Sequence, residues 1–303
     1  MTLSEVYDEF LLDQRVRGNS PKTLIYYESV LTYFIDYLGL SFDISEITLR
    51  TCKEYYLYLI ESKSIRSVSV QSYIRGLRAF LRWLYDNEYI VTNICERFKL
   101  PKATRNLIDV LSDEEIQRLL DTLSGPEWLT VRNRLIVALM LDSGLRLNEV
   151  VTLRPSSVHY KDRYLIVTGK GDKQRTVPFG DFTAQTLGEY LDHIKFANVN
   201  EALIIKASET LCGFEPITES TIKNMFRKLK TRSNIPRLYP HLLRHTFATR
   251  YLENGGNIYT LQAILGHTSL DMVKKYLHLA TTRIRADFPR FSPLDNIKKD
   301  LTE

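Results

Sequence analysis

Residues 241–276 read HLLRHTFATRYLENGGNIYTLQAILGHTSLDMVKKY. Apolar spacing divides the stretch and its flanks into three successive helices, over 240–252, 259–265 and 269–279. His241 and Arg244 stand three residues apart, so on a helix they project from one side. Gly266-His267 closes the second helix, and Tyr276 lies in the third. A cation, two imidazoles and a phenol in this order suit an attack on a phosphodiester. One tyrosine among 18 says little. The ordered set says much more.

Working outward, the chain's 303 residues are enough for two domains with separate cores. Hydrophobic residues make up 44% and charged residues 25%, as in globular proteins. No apolar run approaches the roughly 20 residues needed to cross a bilayer. The opening MTLSEVYDEF is acidic where a signal peptide is basic. The expected location is therefore the cytoplasm, with no membrane partner. Cys52, Cys95 and Cys212 lack the spacing of a disulfide frame or zinc site and read as small buried hydrophobes. The net charge of +5 is mild and supports nucleic-acid binding only weakly.

The first domain, 1–98, reads as a bundle of four or five helices. Thr2 and Glu5 form a capping box ahead of Leu3, Val6 and Phe10. Ser20-Pro21 is an N-cap and N1 pair, followed by a stripe of Leu24, Tyr27, Leu31, Phe34 and Leu38 and a stop at Gly39. Ser45 is read as opening a third helix. A fourth, from about Ser67 to Asn87, turns Ile74, Leu77, Leu81 and Leu84 inward. Its opposite side carries Arg75, Arg78 and Arg82 with no interleaved acid. That stripe is read either as a solvated face or as a helix tracking phosphates.

Residues 99–110 form a linker of basic residues with no apolar period. The second domain, 111–280, opens on the capping box Ser112–Glu115. Its core helix contains RLIVALML (134–141), apolar nearly all round. Gly144 ends that helix and delivers Arg146, which Glu149, three residues on, is placed to hold. The period then changes. Residues 164–167, the turn GKGDKQ and residues 175–178 form a β-hairpin, with Lys170 between glycines in the turn and Lys173 and Arg175 beside it as candidate DNA contacts. GxG here is no dinucleotide fingerprint, since no helix follows. Further helices are expected over 182–194 and 218–230. HLLRH places two imidazoles at i and i+4, but a zinc hydrolase needs Glu at the position held by Leu242. No metal site is expected, and His245 is read as packing or hydrogen-bonding behind its helix. The fold class is mainly α with a small antiparallel sheet in the second domain.

Together GLR, GKGxKxR, HLLRHTFAT, LGH and Tyr276 resemble the tyrosine recombinase (phage integrase) family, over nearly the whole chain. The resemblance implies a SAM-like core-binding domain over 1–98 and a catalytic domain over 111–280, closing on DNA as a C-shaped clamp. It also implies roles. Arg146 and Arg244 look like the phosphate-clamping arginines, and Lys170 like the hairpin lysine and general acid. His241 looks like the histidine of H-x-x-R, His267 like the second histidine position, and Tyr276 like the nucleophile. No cofactor, metal or ATP is implied.

The partners implied are duplex DNA with inverted-repeat core sites and a homotetramer formed on it from free monomers or dimers. An accessory recombination factor is a further candidate. The tail, 281–303, carries Ile284, Phe288 and Phe291, expected either to dock on a neighbouring protomer or to fold back. LGHTSLDMVKKYLHL lacks the TT pair before the tyrosine common in Xer-type dimer-resolution enzymes, and RIRADFPRFSPLDN departs from their ending. Both features lean toward an integrase or resolvase of a mobile element, with Xer-type resolution as the alternative. A type IB topoisomerase or a silent DNA-binding protein of this fold is a more distant reading.

Overall fold

The computed structural model describes residues 1–63, 65, 67–99, 109–169, 171–195, 202–207, 213–267 and 269–280. The chain divides into two compact units, Met1–Asn106 and Leu107–Glu303.

The first unit holds α1 (Leu3–Val16), α2 (Pro21–Leu38), α3 (Leu49–Glu61), α4 (Ser67–Asp86) and the short α5 (Ile94–Arg97). Local chemistry sets its helix ends. Thr2 and Glu5 close the capping box on α1, and Ser20 caps α2 with Pro21 in its first turn. The third helix begins later than expected. Ser45 belongs to a 3-10 turn capped by Asp43, and Thr48 caps α3 through the amide of Thr51. The Ser45 amide and hydroxyl both donate to Asp43 Oδ1, so Ser45 lies inside the turn that Asp43 caps. Apolar stripes from α1 to α4 then meet. Phe10 takes Tyr27, Phe80 and Trp83 edge-on at 5.1–5.5 Å between ring centroids. Trp83 keeps its indole N–H satisfied on Asp13 at 2.8 Å.

The second unit is built around α7 (Trp128–Leu141), preceded by α6 (Asp113–Asp121) and followed by α8 (Leu147–Thr152). Residues 135–140 of α7 are all buried, as an all-apolar helix must be. Next come β1 (Val158–His159), β2 (Tyr164–Thr168), β3 (Gln174–Pro178), α9 (Asp181–Ile194), β4 (Ile205–Ala207) and β5 (Phe214–Pro216). The unit ends with α10 (Glu219–Arg232), α11 (Pro240–Glu253), α12 (Ile258–Leu265) and α13 (Asp271–Ala280). The expected hairpin is β2–β3, and β1 adds a third antiparallel strand. The pair β4–β5 is a separate two-stranded sheet. Neither β1 nor β4–β5 was legible, because strands of two or three residues show no alternation. Arg237 ties the start of the unit to its core, with bidentate bonds to Glu115 at 2.7–2.8 Å and an ion pair to Asp109.

Two details of this unit set up the site. First, strand register places Leu165 opposite Val177 and Val167 opposite Arg175. Directly paired residues share a face, so Arg175 points the way buried Val167 does, inward. Second, the turn after α7 passes through Gly144 at φ 66°, where an added Cβ would lie 2.4 Å from the Phe247 ring. Gly144→Ala is expected to lower the unfolding free energy by on the order of 3 kcal/mol, from left-handed backbone strain plus overpacking. Urea denaturation checks this, and an unchanged midpoint would refute the constraint.

Candidate active site

The centre of the site is a carboxylate. Glu149 lies in the first turn of α8, where its charge suits the helix N-terminus. Its Oε2 accepts from the Arg146 backbone N–H at 2.8 Å and its Oε1 from Arg146 Nη1 at 2.9 Å. Arg175 reaches the same carboxylate from β3 with both terminal nitrogens, at 2.8 and 2.9 Å. Arg244, from α11, brings Nη1 to 3.9 Å of Oε2. Burial would push the Glu149 carboxyl up, but the hydrogen bonds and charge of Arg175, then of Arg146, override it and hold it at about 2.

The second anchor is the C-terminus of α12, which carries unsatisfied carbonyls and partial negative charge. Arg175 Nε donates to the Ile264 carbonyl at 2.6 Å, and Arg244 Nη2 to the Leu265 carbonyl at 2.7 Å. Gly266 ends the helix in the left-handed conformation, and a Cβ there would sit 3.0 Å from Arg175 Cδ. The LGH triplet therefore lets an arginine pass beneath the helix end. His267 follows at once, its Nε2 at 3.1 Å from Arg244 Nη2. Arg244 also donates from Nη1 to the Gly144 carbonyl.

Arg244 is 4% exposed, and burial, with Arg146 and Arg175 nearby, depresses its guanidinium to about 9, still cationic at neutral pH. Arg146 keeps 31% of its side chain exposed and is the accessible cation of the pair. Tyr276, on α13, is 1% exposed within a cluster of Ala248, Leu252, Leu261, Leu265 and Val273. Burial raises its hydroxyl to about 12, while Arg244 and Arg146 pull in the opposite direction. His245 Nδ1 stands 2.7 Å from that hydroxyl.

The structure thus brings Arg146, Glu149, Arg244, His267 and Tyr276 into one unit. His241 is exposed in the first turn of α11. Lys170 lies outside the described residues, as do the tail and Cys212, and Lys173 is exposed in the hairpin turn. Arg175 is not the surface contact expected of it. With its side chain 12% exposed and bidentate on Glu149, it is a strut inside the site. The alternation R-T-V in β3, which puts Arg175 on the face of Val177, was the sequence signal for this. In the first unit Arg75 is exposed, but Arg78 donates to the Phe98 carbonyl. Arg82 pairs with Asp86 at 2.9 Å and lies 3.8 Å from Glu96, so acids do accompany the stripe.

A cluster of arginines around one carboxylate, with a buried tyrosine in the same mainly helical unit, suits an enzyme that works on a phosphodiester. The chain belongs to the phage integrase family: residues 109–283 match its catalytic family and residues 2–100 its SAM-like domain. It is a tyrosine recombinase. It is 29% identical to tyrosine recombinase XerD of Halalkalibacterium halodurans, covering 96% of this chain and 99% of that one. It is also 29% identical to tyrosine recombinase XerC of Staphylococcus aureus, over 93% and 95% of the two chains. Among solved structures, the Tn1549 transposon integrase in complex with a circular intermediate DNA shares the fold, with TM-score 0.77, 21% identity and coverage of 96% and 100%. Among the described residues no helix is long and apolar enough to cross a membrane.

The Glu149 network carries a pH signature. Its carboxyl is depressed from 4.5 to about 2 on folding, so its stabilisation is complete above about 4.5 and is lost as pH falls toward 2. Glu149→Gln is expected to cost about 3–5 kcal/mol at neutral pH, as removing one partner of a buried charge cluster does. The gap between variant and parent should close across that acid window. Thermal melts of both proteins at stepped pH check it; a gap that stays constant would rule out the assignment.

Proposed function

We propose that this chain cuts and rejoins duplex DNA at specific sites through a 3′-phosphotyrosyl intermediate, with Tyr276 as nucleophile. The observation that carries the reading is the Tyr276 hydroxyl held 2.7 Å from Nδ1 of His245, the residue that follows Arg244 on α11. Tyr276 Oη attacks the scissile phosphorus and the bond to the 5′-oxygen breaks. The phosphodiester energy passes into the tyrosyl ester, so rejoining needs no ATP. Arg146 and Arg244 neutralise the non-bridging oxygens as charge builds, and His267 adds a hydrogen bond. Lys170 protonates the leaving 5′-oxygen, and His241 helps to accept the phenolic proton.

The DNA partner is duplex with inverted-repeat core sites. Exchange of two duplexes through a Holliday junction calls for four protomers. Arg75 and Lys173, both exposed, are the better-placed phosphate contacts of those expected from the sequence. The missing TT pair before Tyr276 and the tail sequence favour an integrase or resolvase of a mobile element. A second reading, Xer-type dimer resolution in the nucleoid, is favoured by similarity to XerD and XerC over 99% and 95% of their lengths.

Tyr276→Phe is expected to bind its half-site as the parent does and to form no covalent adduct on a nicked suicide duplex. An adduct from that variant, seen as a slow band on a denaturing gel, would remove Tyr276 from the role. Sequencing the trapped DNA ends distinguishes the targets: element termini support the first reading and a single chromosomal locus the second. Exchange between two marked duplexes, rather than relaxation alone, separates a recombinase from a topoisomerase.

Removing residues 281–303 is expected to impair cooperative assembly and exchange more than binding to one half-site. Normal recombination by the truncated chain would end the idea that the tail docks between protomers.

A further inference from the structure

The histidine after Arg244 has no part in the mechanism above. Consecutive residues of α11 are turned about 100° from each other. Arg244 therefore reaches the Gly144 and Leu265 carbonyls while His245 faces α13. Its Nδ1 is 2.7 Å from Tyr276 Oη, and the ring centroids are 5.8 Å apart with planes tilted by 48°. The contact is thus made by nitrogen and hydroxyl rather than by stacked faces.

A phenol closed in by Ala248, Leu252, Leu261, Leu265 and Val273 needs a hydrogen-bond partner. A phenol about to become a phosphate ester also needs a base to receive its proton. The guanidiniums of Arg146 and Arg244 offer donors only. A neutral imidazole has one acceptor nitrogen, and its ordinary basicity, near about 6.5, suits proton exchange at neutral pH.

We propose that His245 is a catalytic residue, taking the place given to His241 above: its Nδ1 accepts the hydrogen bond from the Tyr276 hydroxyl and takes the proton as Oη bonds to phosphorus. The inference rests on Tyr276 being the nucleophile. In the step, the O–H bond of Tyr276 breaks as the Oη–P bond forms, and the proton passes to Nδ1. The bond from phosphorus to the 5′-oxygen breaks, and that oxygen takes a proton from Lys170. On rejoining, the 5′-hydroxyl attacks the phosphotyrosine and His245 returns its proton to Tyr276. Burial raises the phenol to about 12 although Arg244 and Arg146 draw it down, so at neutral pH it keeps its proton until a base takes it.

Single-turnover cleavage of a suicide duplex by the full chain tests this. His245→Ala is expected to cleave at least about 100-fold more slowly, the usual scale of a lost general base, with half-site binding unchanged. Free imidazole should restore the rate, and pyrazole, a much weaker base of the same shape, should not. His245→Asn keeps an oxygen to accept the hydroxyl but no basic nitrogen, and should be as slow. Cleavage at the native rate by either variant, or equal rescue by pyrazole, would overturn the proposal. Adduct formation by Tyr276→Phe in the same assay would instead overturn the nucleophile assignment, so the two failures are told apart. His241, exposed one turn earlier with its ring 6.3 Å from that of His245, provides a parallel His241→Ala. Imidazole rescue of that variant alone would assign the proton to His241 and overturn the role of His245.

Discussion

A single buried carboxylate keeps three arginines in one place. Without Glu149, the guanidiniums of Arg146, Arg175 and Arg244 would be neighbours with no anion between them, and like charges repel. With it, Arg146 is fixed at the start of α8, and Arg175 locks β3 to both α8 and the end of α12. Arg244 is drawn in from α11. Four elements from distant parts of the second unit are thereby registered against one group. Their helical and strand propensities explain why each exists, and the charge network explains why they meet at this point.

The same network shows why small residues recur between the motifs. Gly144 offers its carbonyl to Arg244 from a turn that no side chain fits, and Gly266 leaves room for Arg175 beneath the end of α12. Each is a backbone requirement of an arginine placed elsewhere. The carbonyls at the end of α12 accept from Arg175 and Arg244 together, so that helix terminus supplies negative partial charge that Glu149 alone does not.

Features that were legible in the sequence are those whose cause is local. The capping boxes Thr2–Glu5 and Ser112–Glu115, the core helix at 134–141 and the β2–β3 hairpin depend on neighbours a few residues away. The resemblance to tyrosine recombinases is what singled out the candidate site residues in the sequence. What escaped depends on distance along the chain. Arg175 meets Glu149 across 26 positions and His245 meets Tyr276 across 31. Strands of two or three residues, such as β1 and β4–β5, are held by pairing rather than by pattern. The face of Arg175 was readable from its alternation with Val177. Its partner was not.

The balance of charge gives the cluster its direction. Three guanidiniums share one carboxylate, so the group remains positive, and Arg244 is held down at about 9 by burial first and by the charges of Arg146 and Arg175 after it. Adding an anion relieves that repulsion. Under the proposed mechanism the scissile phosphate supplies one negative charge on binding and more as the pentacoordinate transition state forms. A preformed, undercompensated cluster gains most from the species with the most charge, which is the transition state rather than the bound substrate. The electrostatics that destabilise the empty site are therefore the ones that would lower the barrier. They also act on Tyr276, whose hydroxyl burial raises to about 12 even with Arg244 and Arg146 pulling the other way. Because the arginines are held by Glu149 and by backbone carbonyls, their charges are already in position when the phosphate charge develops.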